Sequence, residues 1–394
     1  MRVLISSTHY AGHLRPLLPY GHSLRKLGHE VLVSAPVAAR EAVLEAGFDH
    51  VPSGFPTQEQ LAATMARIDE AKGDEVPVVI ARDAFVGGLA RSALPALLAT
   101  VRDWKPHVIL RDSFEFAAAV ASDVAKVPCA RVIVHSMGHE AGMSRHVVGP
   151  VDVLRAEQGL DQDSGRALRR ERSFTAFPAS LDGTGEEAGW GAPFRSRERK
   201  TLVPAGRPRP AWSARESEPF VYITFGTVSG RSEKARSAYV AAVAALAELP
   251  VRALLTTGPV MDSKALGPIP DNVTVLPFVP QDEVMPHASL VLCHGGSGTL
   301  LEALARGIPV VVVPLFADQP ANARSVERTG AGLAVWEINP ASVGTALQRI
   351  WSEPSFRAGA GRIAAEIEAL ATPEEAVEVL LQEVSRHAAP ARTP

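Results

Sequence analysis

The chain has few cysteines and almost no net charge, and each shortage removes a class of function. Of its 394 residues two are cysteines, Cys129 and Cys293, each beside an apolar strand-like run. They read as buried thiols rather than a disulfide, as expected of a reducing cytoplasm. A formal net charge of −3 offers no basic surface to nucleic acid or to an anionic membrane. No window holds the roughly 18 uninterrupted apolar residues of a membrane span. Near the N-terminus, Arg2 is followed only by Val3-Leu4-Ile5 before Ser6, Ser7, Thr8 and His9 intervene. That is too short for an export signal and reads as a first buried strand. Without secretion the sequon Asn272-Val273-Thr274 is set aside. What remains is 46% hydrophobic and 21% charged, an ordinary soluble composition long enough for two domains with separate cores.

Several chemical signatures are missing as well. The turn after the first strand holds only Gly12 and lacks GxGxxG, which argues against a nicotinamide dehydrogenase. No GxxxxGK[ST] phosphate loop occurs. His135 and His139 lack cysteine companions and the helical spacing of zinc ligands. Asp161-Gln162-Asp163 has the form of a metal-holding carboxylate pair. It lies in a polar loop rather than after a buried strand, so it reads as solvated and no metal is expected.

What is present is alternation. In the N-terminal half, strands are predicted at Val3 to Ser6, Glu30 to Ala35, Asp49 to Pro52, His107 to Arg111 and Ala130 to His135. Helices are predicted between them at Pro16 to Leu27, Ala39 to Ala46, Leu89 to Asp103 and Phe116 to Lys126. Ser53 to Gly88 and Gly138 to Gly189 break the rhythm and read as irregular insertions lining a ligand cleft. A basic, proline-rich linker follows, and the alternation then restarts from Val221. The expected fold is α/β, with two Rossmann-like doubly wound domains facing across a cleft. Residues 1–205 form an acceptor-side domain, 206–218 the linker and 219–372 the second domain. A final helix, 373–387, is expected to return to the first domain, with a disordered tail after it.

The densest information lies between Phe278 and Gln319. Leu290 to Cys293 is a strand, His294-Gly295-Gly296-Ser297-Gly298-Thr299 a turn of little bulk, and Leu300 to Arg306 a helix. Such a turn leaves backbone N–H groups unpaired at a helix N-terminus, where the dipole favours an anion. By itself the turn is equally an ordinary glycine-rich βα connection. The flanks decide: Phe278-Val279-Pro280-Gln281 precedes the strand, Glu302 follows His294 by eight residues, and Asp318-Gln319 follows the strand Val310 to Pro314.

That order resembles the nucleotide-sugar signature of the GT-B glycosyltransferases acting on small molecules. These include bacterial antibiotic and macrolide glycosyltransferases and the plant and animal UDP-sugar transferases. The resemblance implies that Phe278, Val279 and Gln281 frame the base. It also implies that His294, Gly295, Gly296, Ser297, Gly298 and Thr299 hold the diphosphate, with Glu302 on the ribose and Asp318 and Gln319 on the sugar. Gly226-Thr227 resembles a second diphosphate contact, with a plain βα turn as its alternative. Many bacterial relatives carry two histidines before the glycines; here the first is Cys293 and His294 keeps the matching place.

In the N-terminal half, Gly12-His13-Leu14-Arg15-Pro16 follows the first strand, and Asp112 follows His107 to Arg111. Both fall at strand C-terminal ends, where doubly wound sheets bind ligands. The family uses a His-Asp pair at these places, which implies His13 as general base and Asp112 as its orienting partner. Alone, His13 would read as a structural histidine and Asp112 as a helix N-cap. Phe85, Phe114, Met137 and Met143 are candidate acceptor liners or core residues. The expected reaction is inverting transfer from a dTDP- or UDP-sugar to a hydroxyl of an apolar polyketide, macrolide or aromatic acceptor, by a monomer or homodimer. A sugar-nucleotide 2-epimerase of the same fold and a non-catalytic sugar-nucleotide-binding partner are the alternatives.

Overall fold

The computed structural model describes residues 1–8, 10–182, 191–197, 212, 219–226, 232–258 and 261–388. Thr227, most of the linker and the last six residues lie outside this set. The chain divides into two compact units. The first holds seven parallel strands: β1 (Arg2–Ser6), β2 (Glu30–Pro36), β3 (Asp49–Ser53), β4 (Val108–Asp112), β5 (Cys129–Ile133), β6 (Arg172–Thr175) and β7 (Phe194–Arg195). Their order is β3-β2-β1-β4-β5-β6-β7. The second unit holds β8 (Phe220–Thr224), β9 (Arg252–Thr256), β10 (Val273–Leu276), β11 (Leu290–Cys293), β12 (Val310–Val312) and β13 (Gly332–Ala334), all parallel. Their order is β10-β9-β8-β11-β12-β13.

Both sheets reverse their winding at one place, between β1 and β4 and between β8 and β11. There two neighbouring strands send their following connections to opposite faces, so a crevice opens beyond their C-terminal ends. The central strands are fully buried and largely apolar, as a sheet covered on both faces requires, with Arg111 and Asp112 the charged exceptions at the end of β4. The C-terminal helix Pro373–Ala388 belongs to the first unit, where Ala376, Val377 and Leu380 pack with Leu17, Leu24 and Phe174.

The two segments expected to be irregular are largely helical. Between 53 and 88, Thr57 and Gln60 form a reciprocal capping box that starts the helix Gln58–Glu70. A second run, Glu75–Val79, continues through a π-helical stretch, Ile80–Ala90, into Arg91–Trp104. Glycines at 87 and 88 permit the wide turn, since a Cβ on Gly87 would lie 2.9 Å from the Arg82 carbonyl oxygen. By length and composition Glu75–Trp104 is apolar enough to cross a membrane. Its Ala81, Val86, Leu94, Leu97 and Val101 are buried in the core of the first unit. The second segment holds a twenty-residue helix, Met137–Ala156, despite three glycines and Pro150. Its face of Met143, Val147, Val151 and Leu154 is spaced to bury one stripe, and that burial overrides weak helix propensity. Strands β6 and β7 were not legible, being short and polar.

Candidate active site

The first crevice is built where β1 and β4 lie side by side, with Ser6 in register with Arg111. Beyond β1 the helical turn Ala11–Leu14 carries His13, and β4 ends on Asp112. The His13 Nδ1 lies 3.1 Å from Asp112 Oδ1. The same oxygen accepts from the Phe114 N–H at 2.8 Å, while Oδ2 accepts from the Thr8 N–H at 2.9 Å and the Ser7 hydroxyl at 3.2 Å. Burial works to raise the Asp112 carboxyl, but His13 and these donors outweigh it and hold it below its usual range. Asp112 is therefore an ionised, fixed partner for the ring, and it orients the opposite nitrogen, Nε2, away from itself.

The N-cap role falls on another residue. Glu115 accepts from the Ala117 and Ala118 N–H groups at 3.2 and 2.9 Å and caps the helix Phe116–Ala125. Its Oε2 also accepts from the Ser6 hydroxyl at 2.9 Å. Burial, reinforced by the charge of Asp112, pushes the Glu115 carboxyl up to about 7. Arg111 is wholly buried; its Nη1 donates to the Asp112 and Ser113 carbonyl oxygens at 3.0 Å each, and its Nη2 reaches Glu171 at 2.6 Å. Neither Glu115 nor Arg111 stood out in the sequence, where a charge at a strand end looks solvated.

Aromatic rings surround His13. Centroid separations are 5.7 Å to Tyr10, 6.2 Å to Phe85, 6.1 Å to Phe114 and 5.4 Å to His135. Phe85, carried on the π-helical stretch, meets Phe114 at 4.7 Å. Of the four expected liners, Phe85 and Phe114 thus reach the histidine. Met137 and Met143 are buried in the same cluster as Phe114, and Met143 lines a small cavity with Phe114, Phe116 and Arg131. His135 and His139, 5.0 Å apart, belong to the ring cluster. No group of three or more His, Cys, Asp or Glu side chains suited to a metal occurs among the described residues.

The second crevice is built from backbone. Beyond β11 the turn His294-Gly295-Gly296 leads into the helix Ser297–Leu304, with Gly296 at the N-cap position. The N–H groups of Ser297, Gly298 and Thr299 have no acceptor within the helix. Gly295 has a φ of 85°, which L side chains rarely adopt. A Cβ on Gly296 would meet the His294 ring at 2.5 Å, and one on Gly226, at the end of β8, would meet it at 2.9 Å. His294 therefore fills the gap between the two turns, and burial pushes its pKa down to about 4, against the opposing pull of Asp318. It is a neutral ring. Gly298 differs: a side chain there would project into open space.

The flanking residues converge on this helix start. The Gln281 amide donates to the Thr299 hydroxyl at 2.9 Å, which ties the segment Phe278 to Gln281 to the turn. Val279 is buried, whereas the Phe278 ring is 57% exposed and available for stacking. Ser297 donates to Asp318 at 2.7 Å. Asn322, one helical turn on, donates to both Asp318 and the Gly295 carbonyl oxygen at 2.9 Å. Gln319 spends its side-chain oxygen on the Leu315 and Phe316 N–H groups at 2.9 and 3.0 Å, leaving its NH2 group as the donor it can offer. Ala317, in the left-handed region at φ 55°, makes the bend before this pair. Glu302 is ion-paired with Arg306 along the helix. Asn322 was legible only in retrospect, four residues after Asp318 on a helix. Away from the site, Asp163 accepts from the Arg166 and Ala167 N–H groups and so caps a short helix.

Two family models described as erythromycin biosynthesis protein CIII-like match the chain, the N-terminal domain over residues 22–146 and the C-terminal domain over 242–383. The elloramycin glycosyltransferase ElmGT of Streptomyces olivaceus is 31% identical over 393 residues, covering 95% of each chain. The aklavinone 7-beta-L-rhodosaminyltransferase of Streptomyces galilaeus is 26% identical over 430 residues, covering 99% of this chain and 97% of the relative. Among solved structures, the spinosyn rhamnosyltransferase SpnG complexed with thymidine diphosphate is 26% identical with a TM-score of 0.79, over 97% of this chain and 100% of that one. With two doubly wound sheets, a polar crevice at the switch point of each, and relatives that match nearly end to end, the chain belongs to the erythromycin biosynthesis protein CIII-like family and is a glycosyltransferase.

Proposed function

We propose that this enzyme moves a sugar from a dTDP- or UDP-activated donor to a hydroxyl of an apolar natural product, with inversion at the anomeric carbon. The observation that carries the reading is the His13–Asp112 contact at the first switch point, on a buried carboxylate with three further donors. Nε2 of His13 takes the proton of the acceptor hydroxyl as its oxygen attacks the anomeric carbon. Asp112 holds Nδ1–H and stabilises the imidazolium that forms. One displacement breaks the bond between sugar and diphosphate, so configuration inverts once.

The leaving diphosphate needs its charge neutralised. The N–H groups and dipole of the helix Ser297–Leu304 supply that without a metal. His294, being neutral, contributes a hydrogen bond rather than charge. A nucleoside diphosphate donor is supported by the thymidine diphosphate complex of the spinosyn enzyme, and a thymidine donor is therefore the first to assay. The half-exposed rings of Tyr10 and Phe85 beside His13 suit an apolar acceptor.

His13→Ala tests the assignment. The rate of transfer should fall by about two to four powers of ten, as general-base loss does, while dTDP affinity stays at the wild-type value. An Ala variant that retains most of its rate removes His13 from the mechanism.

A further inference from the structure

Ser297 opens the helix at the second switch point, and its hydroxyl donates to Asp318 Oδ2 at 2.7 Å. A hydroxyl has one proton to give, and a diphosphate offers only acceptors. While this bond holds, Ser297 can serve a diphosphate through its N–H but not through its side chain. The same Oδ2 accepts from the Asn322 amide at 2.9 Å, and that amide also donates to the Gly295 carbonyl oxygen at 2.9 Å. Both of its partners are acceptors, so the NH2 group must face them and the orientation of the amide is fixed.

Asp318 stands at the N-cap position of the helix Gln319–Thr329, yet its side chain makes no capping hydrogen bond. An aspartate there is ordinarily satisfied by the first N–H groups of its own helix. Here two side-chain donors hold it instead, Ser297 from the helix after β11 and Asn322 from one turn further on. Asp318 and Asn322 are both buried. Gly295 lets the pieces meet: a Cβ on it would lie 3.5 Å from the Gln319 carbonyl oxygen, so the start of one helix rests on the turn that opens the other.

We propose that Ser297 and Asn322 are positioning residues for the sugar of the donor. Between them they fix the Asp318 carboxylate, so their side chains serve the sugar end of the donor rather than its diphosphate. Two donors on one oxygen restrict the carboxylate to one rotamer, and its ordering cost is met before the sugar arrives. Through the Gly295 carbonyl, Asn322 also sets the spacing between that carboxylate and the glycine turn. The inference rests on the reading of Asp318 as a sugar contact.

The test is calorimetric titration with dTDP and with dTDP-glucose, read as the ratio of the dTDP-glucose Kd to the dTDP Kd. Ser297→Ala removes the hydroxyl and keeps the N–H. It should bind dTDP as the wild type does, while the ratio rises by about three- to tenfold, the worth of one hydrogen bond. Asn322→Ala should raise the ratio by a similar factor. Ser297→Thr keeps a hydroxyl and should stay at the wild-type ratio. If Asn322→Ala fails to fold, the two Ser297 variants decide. Equal weakening of both ligands in Ser297→Ala would return the hydroxyl to the diphosphate and overturn the proposal. Unchanged affinity for both would also overturn it, as would a Thr variant that shifts as far as Ala. Asp318→Ala is titrated alongside. If it raises the ratio and the Ser297 and Asn322 variants do not, only their positioning role is broken. If Asp318→Ala leaves the ratio unchanged, the sugar contact itself is wrong and the positioning role goes with it. A wild type that binds neither ligand breaks the donor reading.

Discussion

In the proposed mechanism the two switch points do different chemistry with different materials. In the first unit the crevice is made of side chains, His13, Asp112, Glu115 and a ring of aromatics, drawn from separate parts of the chain. In the second it is made of backbone, a glycine turn and a helix start, locked by a neutral histidine. A base has to be one chemical group held at one angle. A diphosphate cradle has to be a set of N–H groups with nothing in front of them. The contrast teaches that glycines in the second site differ: Gly295 and Gly296 are required by the protein's own packing, whereas Gly298 faces open space, where the proposed mechanism puts the diphosphate.

The largest expected effect sharpens that distinction. Gly295→Val places a branched residue at a φ of 85° with its Cβ 2.6 Å from Val312. It should destabilise the fold by about 2–4 kcal/mol, from backbone strain plus overpacking, and appear as a clear loss in thermal melting. Gly298→Val should behave in the opposite way. Its Cβ meets nothing, so melting should stay near wild type while the Kd for dTDP rises by about tenfold. If Gly298→Val bound dTDP normally, the diphosphate would not sit over this helix start.

These glycines also show how far the sequence could be read. The turn was legible as a strand–turn–helix junction because a run of small residues marks a backbone that few side chains accept. Glu115, Arg111 and Asn322 were not. Each is a polar side chain that would be unremarkable on a surface and matters only because the sheet buries it. The helix Met137–Ala156 was missed for the reverse reason. Its glycines and proline argue against helix locally, and only its packed face decides otherwise.

A third prediction concerns pH and tests whether His294 is a neutral spacer. Its folded pKa lies near 4, below the free value of 6.5. The unfolded chain therefore binds a proton first as pH drops. The stability that His294 contributes is complete above about 6.5 and is lost as pH falls through about 4. Denaturant melts between these limits should show the decline, and His294→Asn should make its slope shallower. An unchanged slope would mean that the ring is charged or solvated, and the contrast between the two sites would weaken.

The smallest expected effect is none. Transfer with excess EDTA should run at close to the rate seen with added magnesium, because in the proposed mechanism fixed N–H dipoles take the place of a cation. Strict dependence on a divalent ion would give the second site a metal and erase its distinction as a backbone cradle. It would also reopen the search for carboxylate ligands, with Asp163 already committed to capping.

By itself the sequence determined the α/β alternation, the glycine turn and the polar pair after it. Those features are written in local periodicity and in residue types that only certain backbones accept. It also placed His13 and Asp112 at strand ends, which a parallel sheet turns into crevice positions. Tertiary structure decided the rest. Whether His13 meets Asp112 depends on β1 and β4 becoming neighbours across roughly a hundred residues of chain. Whether Asp112 is a cap or a partner depends on Glu115 taking the N–H groups of the next helix. Whether His294 carries charge depends on how much water two glycine turns leave around it. Each of these is a matter of which groups are removed from water together, and that is set by packing between segments distant in the chain.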